Sequence, residues 1–115
     1  MSTPITEITA IATLTAQISR EHTTQLEPHE IARVVAGLYR NARTLGNVAV
    51  ARCNRPVTER EERRAERADQ DVHTLCRELG LTAKTNDGDP RGYAVLIRFP
   101  SGATNSFAGD GWGIG

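Results

Sequence analysis

The hydrophobic period of this chain changes at Gly80, from helical to strand-like, and that change restricts it to folds in which helices cover a small sheet. Upstream, Ile31, Val34, Val35, Leu38, Ala42, Leu45 and Ala49 recur at steps of three and four, which is one apolar face over several helical turns. Pro28 suits the first helical position, Glu30 lies in the positive end of the helix dipole, and Leu26 staples against Ile31. Gly37 and Gly46 each weaken that helix by about 1 kcal/mol relative to alanine, so a bend near Gly46-Asn47 is allowed, and Cys53 to Val57 reads as the following turn. Thr58-Glu59-Arg60-Glu61 is a capping box that opens a third helix. Ala65, Ala68, Val72, Leu75, Cys76 and Leu79 line one side of it, and Gly80 stops it. Ahead of both, Ile5, Ile8, Ile11, Leu14 and Ile18 predict a helix starting at Pro4, and Thr23 to Glu27 a connector.

Downstream of Gly80, Tyr93, Val95, Ile97 and Phe99 alternate with Ala94, Leu96 and Arg98, the period of two of a strand with one face on a core. Asn86 to Gly92 hold Asp, Gly and Pro in a combination that reverses the chain tightly. Pro100-Ser101-Gly102 suits a turn with Pro at the second position and Gly at the fourth or in a bulge, so Ala103 to Phe107 returns antiparallel. Leu81 to Thr85 supplies the third strand. The expected fold is therefore α+β: two long antiparallel helices plus an N-terminal helix packed on a three-stranded antiparallel β-meander. The chain reads as one domain, 1–115, divided into the N-terminal helix and connector (1–27), the helical hairpin (28–80), and the meander with its glycine-rich tail (81–115).

The 115 residues carry a formal net charge of zero, built from thirteen arginines, one lysine and fourteen acids. That balance argues against both a general nucleic-acid binder and an acidic DNA mimic. The charge is unevenly placed: arginines at 33, 40, 43, 52 and 55 meet no acid between Ile31 and Thr58, whereas Glu59 to Asp71 holds six acids and four arginines. An antiparallel hairpin sets the basic end of one helix beside the acidic start of the next. Two cysteines, Cys53 and Cys76, do not make a disulfide framework, no secretory leader is evident, and no apolar run reaches the roughly 20 residues of a membrane span. A cytoplasmic protein with reduced thiols is expected.

Taken together, the helix ending in Cys53-Asn54, the Thr58-Glu-Arg-Glu-Glu-Arg-Arg helix ending at Leu79-Gly80, Gly88-Asp89-Pro90-Arg91-Gly92, Pro100-Ser101-Gly102, Asn105-Ser106 and Gly111-Trp112-Gly113 resemble small, functionally uncharacterised proteins encoded in bacteriophages and prophages of proteobacteria. The likeness covers Ile31 to Gly115. It implies an origin and a role inside an infected bacterial cell, with no catalytic residues to carry over.

No residue pattern supplies a reaction. His73 and Cys76 share a helix face, with Asp69 a turn earlier, but Cys53 stands near the start of the third helix and Cys76 about 18 residues along it, roughly 27 Å away, which argues against zinc. Asp87 and Asp89 lack the closing acid of a calcium loop, and neither nucleotide-binding glycine motif is present. Neither a cofactor nor a metal is expected, and the chain does not read as an enzyme. The tail from Ala108 to Gly115 has glycine at every second position and shows Asp110, Trp112 and Ile114 on one face. Trp112 either folds back as a lid on the meander or stands out as a partner-binding anchor. The preferred reading is an interaction protein that binds and modulates a host or phage protein, for example as an inhibitor, through Asp89, Pro90, Arg91, Asn105, Asp110 and Trp112. The alternative is a nucleic-acid accessory protein using the stripe Arg33, Arg40, Arg43 and Arg52 with Arg91 or Arg98.

Overall fold

The computed structural model describes residues 5–86 and 94–107. It is an α+β fold of three helices, α1 (Ile5–Glu21), α2 (Pro28–Asn54) and α3 (Glu59–Glu78), followed by strands β1 (Thr82–Thr85), β2 (Val95–Arg98) and β3 (Thr104–Phe107). The strands form an antiparallel sheet in the order β1-β2-β3. Asp87 to Tyr93, the tail from Ala108 to Gly115 and the expected helix start at Pro4 lie outside the described residues.

The boundaries follow from identifiable local chemistry. Glu27 N–H donates to Glu30 Oε1 at 3.0 Å as α2 begins. The capping box of α3 forms in both directions, Glu61 N–H to Thr58 Oγ1 at 3.1 Å and Thr58 N–H to Glu61 Oε1 at 2.8 Å. α2 runs unbroken through Gly46 and Asn47 because Leu45, Val48 and Ala49 continue its buried face past them. It also takes in Cys53 and Asn54, which sequence had assigned to the turn. It ends at Arg55, whose extended backbone (φ −167°, ψ 164°) is the conformation imposed on a residue before proline.

The core is one cluster. Leu38, Leu45 and Val35 from α2, Val72 and Leu79 from α3, Leu14 and Ile18 from α1, and Val95, Ile97 and Phe99 from the sheet are all essentially without solvent exposure. Two expected core residues behave differently. Ile8 is 53% exposed, because three-residue steps lag the helical turn by about 60° each and rotate the start of that run away from the core. Leu75 is half-buried and faces the outer side of the α2–α3 pair, whereas Leu38 is 0% exposed.

The joint between helices and sheet is at Gly80. Leu81 N–H donates to the Cys76 carbonyl at 2.9 Å and Gly80 N–H to that of Arg77 at 3.1 Å, with Gly80 at φ +72°. This is the six-to-one and five-to-two pattern of a Schellman terminus. The connector after α1 completes it: Thr23 Oγ1 donates to the Leu79 carbonyl at 2.6 Å and Thr24 Oγ1 to that of Glu78 at 3.0 Å. The hairpin turn expected at Pro100-Ser101-Gly102 also forms, closed by Gly102 N–H to the Phe99 carbonyl at 2.9 Å with Gly102 at φ +94°.

A Cβ on Gly80 would stand 1.9 Å from the Thr23 carbonyl oxygen, whereas one on Gly102 would meet nothing within 4 Å. Gly102→Ala is therefore expected to cost about 1–2 kcal/mol from backbone strain alone, and Gly80→Ala about 3 kcal/mol or more, both read from denaturant unfolding. In the same assay Leu38→Ala should cost about 2–5 kcal/mol and Leu75→Ala only about 1–2 kcal/mol, since only the first leaves a closed cavity.

Candidate functional site

Between α2 and α3, along the edge of the core, lies a groove of about 410 Å³. A Cβ on Gly37 would lie 3.4 Å from Leu75 Cδ1, an ordinary contact, and the two helices meet there over a shallow apolar floor of Val34, Gly37 and Leu75. Arg33, Arg40 and Asn41 form the wall on α2, and Asp71 and Thr74 the wall on α3. Asn41 and Thr74 are tied to their own helices, through the Gly37 carbonyl at 2.8 Å and the Gln70 carbonyl at 3.1 Å. The two arginines differ: both are exposed, and neither makes an ion pair or side-chain hydrogen bond with any described residue.

The four-arginine stripe expected on α2 is thereby split. Arg43 is turned to α1, where it pairs with Glu7, and Arg52 lies 3.7 Å from Glu62 on α3. Arg55 grips both carboxylate oxygens of Glu61 at 2.8 and 2.7 Å. Arg33 and Arg40 alone of the stripe line the groove. What spacing on α2 could not reveal is that α3 extends their charge. Arg60, Arg64 and Arg67 precede Asp71 and Thr74 at i, i+4, i+7, i+11 and i+14, so they fall on the same face of α3, between the groove's lining residues and the hairpin turn. All three are exposed and unpaired with any described residue. Glu59, Glu62 and Glu66 follow a separate stripe. The signal was present in the sequence as a run of mixed charge; only helical phase sorts it by sign.

Of the residues assigned to partner binding, Asp89, Pro90, Arg91, Asp110 and Trp112 lie outside the described residues, as does Arg91 in the nucleic-acid alternative. Asn105 pairs in register with Ile97 on β3, so it shares the core-side face of the sheet, and it is half-buried. A polar group turned inward on an outer strand discourages further strand pairing. Arg98 is exposed on the opposite face.

The remaining reactive residue types have structural roles. Asp69 Oδ1 accepts from Thr85 Oγ1 at 2.6 Å, tying α3 to β1, and His73 Nδ1 lies 2.8 Å from the Asp69 carbonyl. Burial pushes the Cys76 thiol up to about 12, which keeps it protonated and inert, while Cys53 is exposed. Among the described residues no group of three or more His, Cys, Asp or Glu is placed to hold a metal ion, and no helix is long and apolar enough to cross a membrane.

Glu61 is held as a carboxylate by its neighbours. The Arg55 guanidinium, with the Thr58 backbone N–H, lowers its carboxyl from 4.5 to about 2. A carboxyl lowered on folding adds stability above its unfolded value and loses it as pH falls through the folded one, so this contribution fades between pH 4.5 and about 2. Glu61→Gln is expected to flatten that part of the acid unfolding profile, and added salt to shrink the difference, because the pair is exposed.

No family model, curated protein or solved structure matches this chain, so the groove and its charges are the direct guide to function.

Proposed function

We propose that this chain is a non-catalytic protein-recognition module, of the kind a bacteriophage or prophage uses to bind and modulate a host or phage protein, and that the α2–α3 groove is its docking surface. The observation that carries this reading is the groove itself: an apolar floor of Val34 and Leu75 beneath two exposed arginines without ion-pair partners among the described residues. Protein interfaces favour this combination, in which an apolar side chain enters a pocket and arginines at its edge fix orientation. Asp71 is the one carboxylate among the lining residues, and neither a histidine nor a cysteine stands beside it there.

Nucleic-acid binding is the second reading, favoured by Arg33 and Arg40 in the groove and Arg60, Arg64 and Arg67 on the adjoining face of α3, none of which has an ion-pair partner among the described residues. Three facts weigh against it: zero net charge, the engagement of Arg43 and Arg52 with Glu7 and Glu62, and an aspartate inside the groove.

Filling the groove separates these readings. Thr74→Trp places a large side chain over the floor from an exposed helix position. In affinity capture from bacterial cells carrying the parent phage or prophage, with and without nuclease, the wild-type chain should retain a nuclease-resistant protein partner that Thr74→Trp loses by about tenfold or more. Capture unchanged by Thr74→Trp would remove the groove from the proposal; capture abolished by nuclease would favour the second reading.

A further inference from the structure

We propose that the groove's occupant is an acidic amphipathic helix belonging to the protein partner; the inference rests on the groove being the recognition surface. Four features select this occupant. The floor is apolar and narrow, which suits one or two aliphatic side chains at helical spacing. The groove carries Arg33 and Arg40 on its α2 wall, and the face of α3 that supplies Asp71 and Thr74 continues beyond the lining as Arg67, Arg64 and Arg60. From Arg60 to Thr74 that face runs about 21 Å at 1.5 Å per residue, the length of a helix of about 14 residues. The cations are all arginines, whose planar fork engages a carboxylate through two parallel hydrogen bonds, although each exposed pair contributes modestly.

The fourth feature is Asp71, and it separates a peptide from a nucleic-acid strand. A phosphate backbone repeats its negative charge continuously and would set one beside Asp71 on the groove's α3 wall. A peptide helix varies its side chains. It places glutamates against Arg33, Arg40 and Arg67 and a hydroxyl, amide or cation against Asp71. Like charges at that point disfavour the polyanion and fix the register of the peptide.

The test uses the full chain and three labelled probes in fluorescence anisotropy. One is a helical peptide of about 16 residues with leucines at i, i+3, i+4 and i+7 flanked by glutamates, one is the same peptide with lysines for glutamates, and one is oligothymidylate of matching length. The glutamate peptide should bind at least about tenfold tighter than either of the others, weakening several-fold between about 50 mM and 200 mM salt. Arg40→Glu combined with Arg67→Glu, both at exposed positions, should reverse the preference between the two peptides while the melting midpoint stays put, which shows that the fold is intact. Equal binding of the two peptides, tighter binding of the oligonucleotide, or an affinity unmoved by the arginine reversals would overturn the inference. If those results came with partner capture still lost in Thr74→Trp, the acidic occupant would fall and protein recognition at the groove would stand. If Thr74→Trp left capture intact, both would fall.

Discussion

The termination of α3 at Gly80 is the constraint on which the arrangement of the other elements depends. Four carbonyls at a helix end lack partners within the helix, and here they are satisfied from two directions. Leu81 and Gly80 fold back onto Cys76 and Arg77, while Thr23 and Thr24 arrive from the α1–α2 connector to bind Leu79 and Glu78. Because Gly80 has no Cβ, the Thr23 carbonyl can lie where a side chain would otherwise stand. One residue therefore sets where the third helix stops, where the first strand departs and how the first helix is tethered to both. Leu81 enters the core as a consequence, and the sheet is held to α3 by the contact of Thr85 with Asp69.

That joint brings α1 and the sheet to the core side of the helical hairpin. The outer side keeps a surface made of whatever α2 and α3 turn away from the core. Val34, Gly37 and Leu75 make its floor, and helical phase collects Arg60, Arg64 and Arg67 on the α3 face that supplies Asp71 and Thr74. Charges elsewhere on the hairpin are consumed locally: Arg43 by Glu7, Arg52 by Glu62, Arg55 by Glu61 and Arg63 by Glu59. Exposed pairs of this kind add little stability. Their effect on the surface is greater, since they neutralise most of the hairpin and leave the groove as a basic strip on a chain of zero net charge.

Most of the fold was legible because its signals are local. The capping box at Thr58, the stop at Gly80, the alternation of Val95, Ile97 and Phe99, and the turn at Pro100 to Gly102 each depend on a few neighbouring residues, and each is where periodicity and turn chemistry placed it. The departures have non-local causes. Cys53 and Asn54 are helical because the buried face of α2 carries the helix to the residue before Pro56. Ile8 is exposed because three-residue spacing drifts around a helix. Leu75 belongs to the groove floor because it meets Gly37 on another helix.

The sequence by itself determined the element order, the two ends of α3, the strand faces and the α+β class, since each follows from hydrophobic period or from backbone preferences over a few residues. Tertiary structure alone decided which arginines meet an acid on a neighbouring element and which have no ion-pair partner among the described residues. Arg33, Arg40, Arg43 and Arg52 are indistinguishable as a stripe on one helix; their environments part only when α1 brings Glu7 to Arg43 and α3 brings Glu62 to Arg52. Charge pairing between elements is set by their relative rotation and register, and those emerge from burying all the apolar faces at once.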